Sequence, residues 1–219
     1  MLRVLFEKTG NAIWMSHLDL MRVFHRAFKR AGLSLTHTQG FNPRPSVSIA
    51  LPLSVGVESV CELLDFELDG DPVPCEEICS RLQKTLVPGV RVLAVYNDGR
   101  KHKELVFLRC HVILEYDHGI PAGVQRTIQE LFSRESVIVP KKGKNGIQDQ
   151  DVIPLIKEMF VTEAGEKELQ IECVICCQNP SLNPSQIVSA IEIHFPELKP
   201  DFSKCKRIEL YDVNDIVFR

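Results

Sequence analysis

The stretch SHLDLMRVFHRAFKRAG, Ser16 to Gly32, fixes the first element of the fold. Leu20, Val23, Phe24, Ala27, Phe28 and Ala31 share one arc when residues advance by about 100° each, and Arg22, Arg26, Lys29 and Arg30 lie on the far side. The pattern predicts an amphipathic helix with an apolar face for a sheet and a cationic face for something else. Ser16 is a good N-cap. Asp19, three residues on, makes a carboxylate variant of the capping box and complements the helix dipole. Gly32 supplies the stop.

Upstream, Arg3 to Phe6 alternates weakly and reads as a strand, ended by the turn Thr9-Gly10-Asn11. Downstream come Leu33 to His37, the run Gln39-Gly40-Phe41-Asn42-Pro43-Arg44-Pro45, and Val47 to Ala50. Two prolines and a glycine forbid regular structure in the middle, so this is a loop between or within strands. Punctuation continues from Pro52 to Ser59. Cys61 to Leu68 then reads as a strand, Cys75 to Leu86 as a helix and Val90 to Val95 as a strand. Strand, helix, strand, strand, helix, strand is the order of a ferredoxin-like unit.

A polar linker, Asn97 to Lys103, precedes a second half in which the order recurs. Phe107 to Tyr116 reads as a strand, Ala122 to Phe132 as a helix, and Ser136 to Pro140 as a short strand before the lysine-rich turn Lys141-Lys142-Gly143-Lys144. Asp151 to Phe160 is expected to be an extra helical or irregular segment. Glu168 to Cys177 reads as a long strand, Ser185 to Phe195 as a helix and Lys206 to Tyr211 as the closing strand. The expected fold is α+β: two tandem ferredoxin-like lobes (βαββαβ twice) with antiparallel sheets, over residues 1–97 and 104–219. The expectation rests on element order, because no residue-level repeat joins the halves.

With 219 residues, 44% hydrophobic and 25% charged, the composition is that of a folded globular chain. No apolar run approaches the roughly 20 residues of a membrane span, and the N-terminus MLRVLFEKTG is not a signal-peptide core. A cytoplasmic location is therefore expected, with the eight cysteines as free thiols. The net charge of −3 hides an uneven distribution. Met1 to Ala50 carries seven Lys/Arg against two Asp/Glu, whereas Glu58 to Ser80 carries eight acidic residues and no Lys/Arg. The basic part is the better candidate for an anionic ligand.

No sequence motif supplies a complete catalytic or metal site. Cys75 and Cys79 have the spacing of the first pair in a radical S-adenosylmethionine cluster motif, but the third ligand position is Leu82. Cys173, Cys176 and Cys177 sit in an apolar strand, where residues three apart point to opposite faces. Neither set converges as Fe–S or zinc ligation requires. Capping accounts for Ser16 and Asp19, and His17 has no partner that sequence shows. Walker, GxGxxG, GxSxG and HExxH motifs are absent, so intrinsic activity, a cofactor and a metal are not expected. The basic helix and the loop carry more information. Phe41 can stack on a base, Arg44 can reach a phosphate, and Gln39 and Asn42 offer paired donors and acceptors, the mixture that single-stranded RNA readers use. The competing reading has Gly40 and the prolines fixing a turn and Phe41 plugging the core.

The run from Ser16 to Arg22, then Arg26 to Ala31, Gln39 to Pro45, Leu51-Pro52-Leu53-Ser54-Val55-Gly56 and Glu58-Ser59 resembles the bacterial family called radical SAM-linked proteins. The match is ordered and spans most of residues 1–70. Members are encoded beside, or fused to, a radical S-adenosylmethionine enzyme, so the resemblance implies a partner that supplies the cluster. Relatives often have Ser where this chain has Thr38, which keeps the hydroxyl. A weaker, architectural resemblance is to CRISPR-associated RNA-processing endonucleases, whose glycine-rich C-terminal loop is not evident here.

The leading expectation is an accessory protein that binds RNA, tRNA or rRNA, and presents it to a radical S-adenosylmethionine modifying enzyme. Arg22, Arg26, Lys29, Arg30 and Arg44 would contact phosphates, Phe41 would stack, and Gln39 and Asn42 would orient. One rival is a protein-interaction module that docks the enzyme through the acidic span Glu58 to Glu77. Another is a metal-independent RNA nuclease with a dispersed site that uses His17 or His37 as acid or base.

Overall fold

In the computed structural model, which describes residues 1–143 and 146–219, strand β1 (Leu2–Lys8) has an antiparallel neighbour on each side. A single 3-10 turn, Gly10–Trp14, leads to helix α1 (His17–Arg30). Strands β2 (Val47–Ile49) and β3 (Glu58–Phe66), helix α2 (Cys75–Gln83) and strand β4 (Val90–Tyr96) follow. The sheet order is β4-β1-β3-β2, every pair antiparallel.

Alternation in β1 turns Val4 and Phe6 towards the helices, where both are buried. Leu20, Phe24, Ala27 and Phe28 of α1 and Ile78 and Leu82 of α2 close the core over them. Two ring pairs tie α1 to the sheet, Phe6 with Phe24 and Phe28 with Phe66, each with centroids 4.8 Å apart. Burying each ring contributes about 1.5–3 kcal/mol. Both expected caps of α1 are present. Ser16 Oγ accepts from the Asp19 N–H at 3.2 Å and donates to the Asp19 carboxylate at 2.7 Å. At the other end Gly32 has φ +67°, and the Leu33 N–H returns to the Phe28 carbonyl at 3.0 Å.

Two of the seven N-terminal cations belong to this interior. The Arg3 guanidinium holds the Asp65 carboxylate in two bonds of 2.5 and 2.9 Å, both side chains being almost fully buried. Lys8 Nζ donates to the carbonyls of Ile13 and Met15 at 3.1 and 2.9 Å and so pins the chain entering α1. Neither is available to a ligand. The surface charge of the first fifty residues therefore rests on Arg22, Arg26, Lys29, Arg30 and Arg44, all exposed.

The chain divides into two units, Met1–Glu104 with Phe218–Arg219, and Leu105–Val217. The expected boundaries, 1–97 and 104–219, shift for a physical reason. The Arg100 carbonyl accepts from Arg3 at 2.8 Å, and His102 Nε2 lies 2.7 Å from Asp65. Phe218 is fully buried with the guanidinium carbons of Arg3 and Arg100 at 5.4 and 5.3 Å from its ring centre. The linker and the last two residues thus complete the first unit around its buried ion pair.

The second unit runs β5 (Phe107–Glu115), α3 (Val124–Phe132), β6 (Ile138–Gly143), β7 (Gly146–Asp151), β8 (Ile156–Glu163), β9 (Glu168–Cys176), α4 (Pro184–His194) and β10 (Phe202–Tyr211). Its sheet order is β10-β5-β9-β8, again antiparallel, with β6 and β7 as a separate hairpin. The segment expected to be helical or irregular, Asp151 to Phe160, instead enters β8 through a 3-10 turn at Ile153–Leu155. Only Val161 of β8 is buried, so this strand carries no clean alternation for a sequence reading to find. Strand β7, GIQDQD, has one large apolar side chain, the exposed Ile147, and gives no apolar alternation either. Of the expected lysine-rich turn, Lys141 to Gly143 end β6, and Lys144 lies outside the described residues. The whole is a mixed α+β fold in which all described strand pairs within each unit are antiparallel. Among the described residues no helix is long and apolar enough to cross a membrane.

Candidate nucleic-acid interface

The loop after α1 is held by a short two-stranded root. His37 pairs with Pro45, and the Thr38 N–H donates to the Arg44 carbonyl at 2.8 Å. The Arg44 N–H donates to Thr38 Oγ1 at 3.1 Å, and the Ser46 N–H to the Thr36 carbonyl at 2.8 Å. Thr38 thus uses both its backbone and its hydroxyl to close the loop. Gly40 has φ +133°, a conformation that a Cβ disfavours.

Beyond this root the tip stands in solvent. Phe41 is 110% exposed relative to its reference state, so it plugs no core. Gln39 and Asn42 are exposed, and neither makes a side-chain hydrogen bond among the described residues. The five surface cations have different surroundings. Arg22 pairs with Asp19 at 2.9 Å, and Arg30 Nη2 donates to the Thr85 carbonyl at 2.6 Å on the side of α1 that faces α2. Arg26, Lys29 and Arg44 make no ion pair among the described residues and keep their charge unpartnered.

A cavity of about 420 Å³ joins helix and loop. His25, Phe28 and Lys29 of α1 form one wall; Gly32 to Leu35, His37 and Pro45 form the rest. The expected helix residue Lys29 and the residues at the root of the expected loop therefore share one concave surface. Burial, and secondarily the nearby His37, lowers the His25 pKa below the ordinary 6.5. Sequence reading missed His25 and named His17 or His37; His37 lines this cavity, whereas His17 sits at the first position of α1. A signal was there: His25 and Lys29 are four apart, hence neighbours on one side of a helix.

The acidic span proposed for docking is divided by the fold. Glu62 and Asp65 are buried in β3, and Asp65 is committed to Arg3 and His102, whereas Glu67, Asp69, Asp71, Glu76 and Glu77 remain exposed. The cysteines are free thiols, four of them buried. Cys110 and Cys173 face each other across β5 and β9 with sulfurs 3.3 Å apart, and this contact together with burial pushes Cys110 far up. Burial lifts Cys177 and Cys205 to about 12. Among the described residues no group of three or more His, Cys, Asp or Glu converges.

The sequence pattern of the family described as uncharacterized protein conserved in bacteria (DUF2344) matches residues 1–184. This chain belongs to the DUF2344 family. The match covers all of the first unit up to Glu104, including helix, loop and cavity. No curated protein matches the chain. Among solved structures, a chain in the crystal structure of a Cbf5-Nop10-Gar1 complex is similar with a TM-score of 0.54 and 9% identity, over 95% of the DUF2344 chain. That likeness shows the fold alone, and the DUF2344 chain spans 48% of the longer solved chain. A structure of an unknown protein from Galdieria sulphuraria matches over 97% of both chains at 12% identity, with a TM-score of 0.27.

Proposed function

We propose that this DUF2344 protein is an RNA-binding accessory protein that works with a radical S-adenosylmethionine enzyme in RNA modification. The observation that carries the RNA part is a cavity lined by Lys29 and rooted in the same loop that exposes Phe41, with Arg26 and Arg44 exposed on that helix and that loop. Unpaired cations attract a phosphate backbone, and a bare aromatic ring offers a base a stacking face, the two components of single-strand binding. A fully exposed phenyl ring stabilises no fold, so its place at the tip of an ordered root favours a contact outside the chain. Support for the enzyme partner is the likeness of residues 16–59 to radical SAM-linked proteins.

Each unit is read as a ferredoxin-like lobe. The first has the order β4-β1-β3-β2 and the second β10-β5-β9-β8, which is the same arrangement once the β6–β7 hairpin is set aside as an insertion. The experiment that tests the function is purification of the native protein from its own cells under mild salt, followed by identification of what travels with it. Co-purified RNA together with a radical S-adenosylmethionine enzyme is the expected result. Recovery of the enzyme without RNA, and no RNA affinity in the purified chain, would move the reading to a protein-docking module using the exposed acids from Glu67 to Glu77.

A further inference from the structure

The cavity between α1 and the loop root has a one-sided chemistry. His25, Lys29 and His37 line it, and no Asp or Glu does. Its remaining surface is largely apolar, with Phe28, Leu33, Leu35 and Pro45. A volume of about 420 Å³ falls within the roughly 300–1,000 Å³ of small-molecule sites. Cations on one part and apolar wall on another suit an anion attached to a flat organic body. The loop that springs from His37 and Pro45 carries Phe41 and Arg44, so whatever enters the cavity is continuous with the proposed strand path.

We infer that this cavity is a subsite for one phosphate-bearing nucleotide of single-stranded RNA, with Lys29 and His37 on the phosphate, His25 behind it, and Leu35 and Pro45 against the base or sugar. The assignment rests on the RNA-binding reading and adds to it a defined pocket and a proton linkage. Nε2 of His25 is buried and meets no hydrogen-bond partner, so nothing offsets the charge of a protonated ring. The titratable groups that line the cavity with it are both basic, His37 and, one turn on, Lys29, and the nearest acid tied to the lining is Asp69, whose N–H donates to the Ser34 carbonyl. A phosphate would supply the missing negative charge and raise the imidazole back towards or above 6.5. Binding therefore takes up a proton. Affinity rises as pH falls through the range between the bound-state and free-state values of His25, by up to about tenfold per pH unit for each proton taken up.

The test is a titration of the full chain followed through the imidazole C–H resonances of His25 and His37, assigned with His25→Gln and His37→Gln. The probes are uridine 5′-monophosphate, uridine and inorganic phosphate, each into the millimolar range, with a short single-stranded RNA alongside. The monophosphate is expected to shift both imidazoles, raise the His25 titration midpoint and bind at least about tenfold tighter than either fragment. Lys29→Gln should weaken it by roughly tenfold or more, the loss of one charged hydrogen bond. If RNA binds while the monophosphate leaves both imidazoles unmoved, the subsite is refuted and the RNA reading stands. Inorganic phosphate binding as tightly as the nucleotide would also refute it, since the apolar wall would then have no role. If RNA fails to bind in the same buffer, the RNA-binding reading fails instead.

Discussion

Phe41→Ala separates a ligand contact from a structural one, and the structure sets its size. The ring has no buried area to lose, so the substitution should change folding stability by no more than about 0.5 kcal/mol, as exposed sites do. A core phenylalanine would cost roughly 3–5 kcal/mol. Stacking of one base on an aromatic side chain is worth about 1–3 kcal/mol, which is roughly a 5- to 150-fold loss of RNA affinity. Because the ring is neutral, the slope of log affinity against log salt should stay that of the wild type. Fluorescence anisotropy of a labelled single-stranded RNA at several salt concentrations, beside thermal melts of both proteins, reads all three quantities. Unchanged affinity in a stable variant would refute the stacking role, and a large loss of stability would refute the exposed placement of the loop tip.

Three further outcomes follow from the first unit. Asp65→Asn leaves the buried Arg3 guanidinium without its counter-charge and should lower stability by about 3–5 kcal/mol in urea denaturation. Gly89→Ala should destabilise by more than about 1 kcal/mol in the same assay. Gly89 has φ +85°, and an added Cβ would meet the Thr9 carbonyl oxygen at 2.5 Å and the Ala12 Cβ at 2.8 Å. His25 has a folded-state pKa below 6.5, so between the two values the unfolded chain binds more protons and stability falls as pH drops through that window. Stability curves across mildly acidic pH should show His25→Gln to be less sensitive there than the wild type.

The first unit was legible because its elements carry strong local signals. Helix α1 has a capping serine, an uninterrupted apolar arc and a glycine stop, and the sheet strands around it bury apolar side chains. The second strand of the hairpin and β8 were not legible, since an exposed, mostly polar strand such as GIQDQD owes its shape to pairing and not to burial. Charge counting found the basic region but could not tell Arg3 and Lys8, which serve the interior, from Arg26 and Arg44, which face solvent. That distinction depends on Asp65 and on the carbonyls of Ile13 and Met15, contacts fixed by the folded chain. The cavity was invisible for the same reason. His25 and His37 are separated by the end of a helix and a turn, and only the packing of the loop root against α1 joins them.

The central claim is that unpaired cations on α1 and the loop hold an RNA backbone. Its most direct test is the salt dependence of single-stranded RNA affinity for the wild type and for Arg26→Gln combined with Arg44→Gln. Each lost contact removes about 0.7 from the slope of log affinity against log salt, so the double variant should fall short of the wild type by roughly 1.4 with its melting temperature nearly unchanged. A wild-type protein whose RNA affinity does not depend on salt, or a double variant with the wild-type slope, would contradict the claim.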